Sequence, residues 1–378
     1  MNRSRLRAAS MSDPVMVYGA TGFSGRALAA RLCHAGCDVV VAGRNAAGVH
    51  ALAQSLNAPS RVFQLGDPGA IDLALRGIAV VLNAAGPFMD TAAPMIDACI
   101  RARTHYLDLT GEWPVFAMAQ GRGAEAAAAG VMLMPGVGFA VAISDCLVAH
   151  AVRQAPETSL LRVAIGLPEV VSRGTLRSAL RTFGRTVIVR KGGALRSVPV
   201  GAAERSFDYG AGERMSIAVS WPDVVTAQAT TGVANIEAYL EAPLPLRLAH
   251  RAGAVAAEML GDEGLRGVLA PLEAAWPDHP SVSAQSRASN AIVVEAVDPW
   301  RRATRFGLKT LDGYSVTNAT APAIVARVLA GEHPPGFQTP AGAYGPELIK
   351  GLGCAEPYDA SRLAPRSNSV TVGQAGMA

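Results

Sequence analysis

The stretch 17-VYGATGFSGRALAARL-32 decides how the first third of the chain is read. An apolar run leads into it. Gly19, Gly22 and Gly25 then stand three apart, and a run of good helix formers follows. Strand, glycine turn and helix within a unit of about 30 residues is the setting in which such a turn cradles a dinucleotide pyrophosphate. Gly19 would permit the tight turn. Gly22 would let a phosphate approach the backbone, and Gly25 would let the helix pack close to the strand. Free N–H groups around Thr21–Ser24 would face the anion, and the helix dipole would add to the attraction. The candidate cradle is therefore Gly19, Ala20, Thr21, Gly22, Phe23, Ser24 and Gly25. The competing reading is a packing turn with no ligand.

The residues that follow keep the same rhythm. Apolar runs at 38–43, 61–66, 79–86, 105–111 and 131–136 read as strands. Helical patterns at 46–56, 70–75, 91–102 and 115–129 separate them. The strands are continuous apolar runs without period-two alternation, as expected for strands covered on both faces, so the sheet should be parallel. Alternation of strand and helix gives the fold class: α/β, with a Rossmann-type doubly wound sheet.

From about Pro156 the rhythm changes. Strand-like pieces follow one another through tight turns, as in 187-VIVRKGGALRSVPV-200, where Gly192-Gly193 makes a hairpin corner. Further strands are expected at 213–220, 233–242, 291–299 and 304–311, with helices at 174–182 and 246–275. This predicts a second, mainly antiparallel α+β substrate domain. A helix at 318–332 should return to pack on the first domain. The expected division is 13–145 completed by 313–352, then 146–312, with loose tails at 1–12 and 355–378.

The totals agree with two folded domains. The chain has 378 residues, half of them hydrophobic and 17% charged. Its 34 basic residues are 31 arginines and three lysines, spread so that no dense block suggests nucleic acid. The cysteines, Cys33, Cys37, Cys99, Cys146 and Cys354, are odd in number and scattered. They suggest neither disulfides nor a metal site, and a reduced cytoplasmic compartment is expected. The first 14 residues hold arginines but no apolar core, so they do not read as a secretory signal. The long apolar stretch 130–152 contains Pro135, several glycines and Asp145. It reads as a buried strand, a glycine turn and a helix, and no integral membrane span is expected.

The second strand decides which dinucleotide is preferred. A carboxylate at its end would bind a ribose 2′-hydroxyl. This strand ends 42-AGRN-45, with Arg44 where the acid would be and Asn45 beside it. A guanidinium matches a 2′-phosphate in charge and fork geometry, so NADP(H) is preferred over NAD; a merely solvated Arg44 is the alternative. Asp67, after the third strand, could accept from an adenine amino group. The turn 83-NAAGPF-88 would bring Ala85, Gly86, Pro87 and Phe88 near the nicotinamide. Both are ordinary loops on the structural reading. No tyrosine has a lysine four residues on, and there is no Gly-x-Ser-x-Gly elbow. A nicotinamide cofactor needs neither, since it supplies the chemistry itself.

At 19-GATGFSGR-26, 42-AGRN-45, 82-LNAAGPF-88, 106-YLDLTGE-112 and 135-PGVGFAVAISDCL-147, the chain resembles the saccharopine dehydrogenase-like oxidoreductases. Its stretches 174-GTLRSAL-180, 230-TTGVANIEAY-239 and 334-PPGFQTPAGAYGPELI-349 resemble the trans-acting enoyl reductase branch. The resemblance covers most of 13–352. It implies a nicotinamide-binding first domain, an inserted domain that shapes the substrate cleft, and a homodimer. Cofactor contacts implied by it fall on Gly19–Gly25, Arg44, Asp67, Ala85–Phe88, Leu107, Asp108 and Gly111. The implied reactions are reduction of an enoyl thioester in a polyketide or fatty-acid pathway, or imine and amino-acid chemistry of the saccharopine type. One departure stands out: Ala140 in 138-GFA-140 replaces an aspartate common in the family.

The remaining candidates each carry two readings. Asp108 could orient a ribose or substrate, or could brace the following helix with Thr110. Thr230, Thr231 and Asn235, read as a polar turn, could steady an enolate or be plain turn residues. Glu112, Phe88, Trp221 and Tyr239 could line a substrate cleft or belong to the core. Arg173, Arg177, Arg181 and Arg185 recur every four residues. On a helix that makes one basic stripe, either a solvated face or a dock for an acidic acyl carrier protein. The expected function is NADPH-dependent reduction of an enoyl thioester. Imine reduction and a dinucleotide-binding scaffold without turnover are the alternatives.

Overall fold

The computed structural model describes residues 13–182 and 186–358. Expectations for 1–12, Arg185 and 359–378 lie outside the described residues. The first half alternates β1 (Val15–Tyr18), α1 (Phe23–His34), β2 (Val39–Gly43), α2 (Ala46–Leu56), β3 (Ser60–Val62), α3 (Pro68–Ala74), β4 (Val80–Asn83), α4 (Phe88–Ala102), β5 (His105–Asp108), α5 (Trp113–Gly121), α6 (Gly123–Ala129) and β6 (Met132–Met134). Next come α7 (Phe139–Gln154), β7 (Leu160–Ile165), α8 (Arg173–Thr182), β8 (Thr186–Lys191), β9 (Ala194–Pro199), β10 (Glu204–Asp208), β11 (Glu213–Ala218), α9 (Asp223–Thr231) and β12 (Ile236–Glu241). The last described part holds α10 (Leu244–Ala275), α11 (Val282–Gln285), β13 (Ser289–Val297), β14 (Ala303–Leu311), α12 (Gly313–Leu329), β15 (Gly336–Phe337), α13 (Pro340–Tyr344) and β16 (Ala355–Tyr358).

The first sheet runs β15-β6-β5-β4-β1-β2-β3 and every pair is parallel. Both faces are covered. Val15 and Val17 of β1 enter a core with Leu28 and Val39. Met16 and Tyr18 enter another with Ile96 and Tyr106. Double coverage is why its strands read as unbroken apolar runs. Strand order reverses between β1 and β4, so a crevice opens beyond their carboxyl ends.

The second sheet runs β10-β11-β12-β7-β13-β14-β16, with the β8–β9 hairpin attached at β12. All pairs are antiparallel except β12 with β7. The hairpin corner falls on Gly192 and Gly193, both at positive φ, which a tight turn of this kind demands.

Three local expectations need correction, one of them at Gly261, whose φ of 72° and ψ of 168° interrupt α10 and so break the helix expected over 246–275. The helix expected over 115–129 is broken into α5 and α6 at Gly121–Arg122–Gly123, where two glycines weaken the helix. Residues 355–358, expected in a loose tail, form β16 along the edge of β14.

Helix α7 joins the halves. Cys146 and Ala149 face the first-sheet core, while Ile143, Leu147, Val148 and Ala151 face the second. A helix apolar on every side must be buried, which accounts for the hydrophobic stretch 130–152. Among the described residues no helix is long and apolar enough to cross a membrane. Helix α12 returns to α1, placing Ile324, Val325 and Val328 in the core with Val15 and Leu28.

Two buried acids sit where α7 meets α9. Asp145 accepts from the Thr230 hydroxyl at 2.5 Å and from the Ala341 amide at 2.7 Å, tying α9 and α13 to α7. Asp223 is fully buried, with the Ser144 hydroxyl beside its carboxyl holding its pKa down only in part. Burial, reinforced by the Asp145 carboxyl, pushes Asp223 up to about 7. A raised folded-state value means the native protein holds this proton more tightly than the unfolded chain. Its stability contribution is thus intact at low pH and is lost as pH rises from the ordinary carboxyl range to about 7. We expect Asp223→Asn to flatten that dependence. Between about pH 5 and about pH 8 the native protein should lose about 2–3 kcal/mol more than the variant. Urea denaturation at both pH values checks this, and parallel curves for the two proteins refute it.

Candidate cofactor and substrate cleft

A cleft of about 1520 Å³ opens between the carboxyl ends of the first sheet and the second sheet. The glycine turn forms one end. Gly19 sits at φ +78°, and a Cβ there would lie 2.7 Å from the Ala85 nitrogen. A Cβ on Gly25 would lie 2.3 Å from the Gly19 carbonyl oxygen. Both positions require glycine, because backbone meets backbone there. Gly22 precedes α1, which has no side-chain cap. Gly19, Thr21, Gly22, Phe23 and Ser24 line the cleft; Ala20 is buried beneath them.

Arg44 directly follows β2, is exposed, and lines the same cleft. Its neighbour Asn45 does not. It caps α2, accepting from the Gly48 amide at 3.2 Å. Asp67 likewise caps α3 through the Ala70 amide, and its predecessor Gly66 takes the lining position. Short polar side chains before a helix satisfy its first free amides, a local role that competes with ligand binding.

The turn after β4 is held from below. Asn83 accepts from the Ala85 amide and donates to the Thr91 and Tyr106 hydroxyls. The Thr91 hydroxyl donates to the Ala85 carbonyl at 2.6 Å. Ala84, Ala85, Gly86 and Phe88 thereby line the cleft, while Pro87, after a cis peptide bond, does not.

Asp108 lies opposite Asn83 on β5. It is fully buried and does not line the cleft. Its carboxyl accepts from the Thr110 and Gly136 amides and the Tyr106 hydroxyl. Burial pushes it up to about 7 despite those donors. Leu107 is also core. Neither side chain lines the cleft: Leu107 packs in the core, and the Asp108 carboxyl is occupied by Tyr106, Thr110 and Gly136. Asp108 and Thr110 make two successive side-chain turns, with the Thr110 hydroxyl accepting from the Glu112 amide. These turns deliver Glu112 to the cleft beside Gly111.

Glu112 is the polar hub of the site. It is 1% exposed. Its carboxylate accepts from the Phe88 amide at 3.0 Å, the Met89 amide at 2.7 Å and the Ser178 hydroxyl at 2.5 Å. The first two are at the start of α4, where a negative charge also suits the helix dipole. The third is on α8, in the other half of the chain. A buried carboxylate with three donors links the cofactor-side turn to the roof of the cleft.

The far wall is assembled from distant segments. Phe139 and Ala140 open α7, and the Trp221 indole donates to the Ala140 carbonyl at 3.1 Å. Val187, Leu240 and Asn290 come from the second sheet. Thr317 of α12 accepts from the Phe139 amide. Ala140 leaves no carboxylate at its position, and its Cβ would lie 3.2 Å from one built on Gly111.

Several expected substrate residues lie elsewhere. Thr230 and Thr231 end α9 and do not form an inter-strand turn. Thr230 donates to Asp145, and Thr231 donates to the Ala227 carbonyl. Asn235 pins the β8–β9 corner, accepting from the Gly192 amide and donating to the Ser159 carbonyl. Tyr239 is buried and donates to Glu237. None of the four lines the cleft. Arg173 and Arg177 do line its mouth, but each is engaged, with Asp278 at 2.7 Å and Glu273 at 2.5 Å. Ser178, Asn290, Thr317 and Asn83 carry no sequence signal of their own, since each is a common polar residue placed by the fold. No group of acidic, histidine or cysteine residues among those described could hold a metal.

Comparison with known proteins accords with this geometry. Residues 15–134 match the family described as saccharopine dehydrogenase NADP binding domain. A trans-acting enoyl reductase of Mycobacterium tuberculosis (strain ATCC 25618 / H37Rv) is 35% identical over 105 residues, covering 26% of this chain and 25% of that protein. One from Mycobacterium ulcerans (strain Agy99) is 29% identical over 114 residues, covering 28% and 27%. These matches thus span about a quarter of the curated relatives' length. The apo saccharopine dehydrogenase (L-Glu forming) of Saccharomyces cerevisiae superposes with a TM-score of 0.63 at 14% identity, covering 92% of this chain and 100% of that one. With the cradle, the switch-point crevice and the two-sheet architecture in place, residues 15–134 carry the match to a saccharopine dehydrogenase NADP binding domain, and the whole described fold is similar to that of saccharopine dehydrogenase.

Proposed function

We propose that this protein is an NADP(H)-dependent oxidoreductase that reduces the conjugated double bond of an uncharged enoyl thioester. The observation that carries the reading is one cleft joining an uncapped helix start and Arg44 at one end to an apolar wall at the other. The chain's residues fit the cofactor. Gly22 keeps the backbone bare where a phosphate would rest, and Arg44 has no carboxylate partner among the described residues. Residues 13–145 with 313–352 would hold the dinucleotide, and 146–312 would shape the acceptor's side.

When bound, NADPH would supply a hydride to the acceptor's β-carbon, and solvent would protonate the α-carbon. The protein's part is to bind, orient and exclude water. The guanidinium of Arg44 holds the 2′-phosphate. Glu112 positions the Ala85–Phe88 turn and the roof helix against each other. Phe88, Phe139, Trp221 and Leu240 keep water from the acceptor. Thr230, Thr231 and Asn235 take no part, being engaged away from the cleft.

An enoyl thioester is favoured over an amino-acid imine by charge. The substrate of an imine reductase brings carboxylates, and the two arginines at the acceptor's side already hold Asp278 and Glu273. For the same reason the reading commits to the thioester and not to a carrier protein docked on α8. NADPH oxidation separates the readings. Turnover with crotonyl-N-acetylcysteamine, and none with a keto acid plus an amine, is the expected result. The opposite pattern gives the imine reading, and tight NADPH binding with neither activity gives the scaffold.

Two substitutions test the assigned roles. Arg44→Ala should weaken NADPH binding about tenfold to a hundredfold while leaving NADH binding within about threefold. Fluorescence titration with both dinucleotides reads it, and equal losses would remove the 2′-phosphate contact. Glu112→Gln should cost about 1–3 kcal/mol, because one of three buried donors loses its acceptor. Ser178→Ala removes one hydroxyl and should cost about 0.5–1.5 kcal/mol. Denaturation curves that reverse this order would contradict the hub.

A further inference from the structure

On the acceptor's side of the cleft, the Asn290 side-chain oxygen has no protein partner among the described residues. Asn290 is 6% exposed and lines the cleft. Its side-chain oxygen Oδ1 is buried and accepts no hydrogen bond. Ile292, two residues on, aligns across the sheet with Ile165, and Ile165 aligns with Leu240. Side chains two apart on a strand share a face. Asn290 therefore projects from the same face as Leu240, the apolar lining residue.

Several other polar side chains of the cleft wall are occupied. Thr317 donates to the Gly313 carbonyl, and Ser178 donates to Glu112. The Trp221 indole donates to Ala140. Tyr314 accepts from the Ser172 amide at 2.7 Å. A buried amide oxygen without a donor is unfavourable, and such groups are normally satisfied. Here the missing donor would come from the ligand.

We propose that Asn290 is a specificity-determining residue: its side-chain oxygen takes a hydrogen bond from a neutral N–H or O–H group on the acceptor. This rests on the proposed function only in placing the acceptor at this end of the cleft. The chemistry is that of an uncharged, mostly apolar molecule with one hydrogen-bond donor set apart from its reducible bond. The donor has two possible sources, an amide on the thiol side of the thioester or a hydroxyl on its acyl chain.

Binding, not turnover, tests this, so the result stands apart from whether enoyl thioesters are reduced. Three saturated thioesters are titrated by calorimetry into the NADPH-loaded protein. Butyryl-N-acetylcysteamine carries an amide N–H, S-butyl 3-hydroxybutanethioate carries a hydroxyl, and S-butyl butanethioate carries neither. At least one donor-bearing ligand should bind about tenfold tighter than the third, and whichever does identifies the source. Asn290→Leu should abolish that preference without changing NADPH affinity, which also serves as the check on folding. Asn290→Asp, which keeps an accepting oxygen, should preserve it. Equal binding of the three ligands to the unaltered protein overturns the proposal even if Asn290→Leu fails to fold. So does a preference that survives in Asn290→Leu.

Discussion

Burial of α7 on all sides is the constraint on which the rest of the molecule depends. Its residues serve two cores at once, one under each sheet. A helix shared in this way cannot shift toward one sheet without opening a void at the other, and close-packed interiors resist that. Because α7 starts at Phe139, directly after β6, its first turn stands at the rim of the switch-point crevice. The position of the cleft follows from this packing. So does the meeting of Phe139 and Ala140 with Trp221 and Thr317, residues from two other segments.

Polar groups then set the details within that frame. Side chains two residues apart carry the chain from Asp108 through Thr110 to Glu112. Each link satisfies a backbone amide that would otherwise be buried without a partner. The last carboxylate reaches both α4 and α8, so a local chain of turns ends in a long-range connection. The far end of the cleft is different in character. Its arginines are neutralised by carboxylates, and its wall is largely apolar. Such a surface suits a neutral molecule, in contrast to the anion-seeking glycine turn opposite.

The cofactor half of the site was legible because it is contiguous. Gly19 to Gly25 is one stretch, and its spacing follows from the geometry of a single turn. That Arg44 lines the cleft was legible from its place just past a strand end. Asp67 and Asn45 misled for a local reason: residues placed just before a helix are as well suited to capping it as to meeting a ligand. Thr230, Thr231 and Asn235 misled because the segment is a helix end leading into a strand: Thr230 reaches Asp145 of α7, Thr231 bonds within its own helix, and Asn235 holds the β8–β9 corner.

The sequence by itself determined the strand–turn–helix rhythm, the parallel first sheet and the glycine cradle. Periodicity and backbone permissiveness are properties of neighbouring residues. It also determined that 130–152 is an interior segment, since proline, glycines and an aspartate interrupt its apolar run. Only the tertiary structure decided which polar residues face the cleft. Glu112, Ser178 and Asn290 are separated by 66 residues or more, and their roles come from contacts between the two halves of the chain. Whether a buried oxygen is satisfied depends on what packs against it, and no local pattern encodes that.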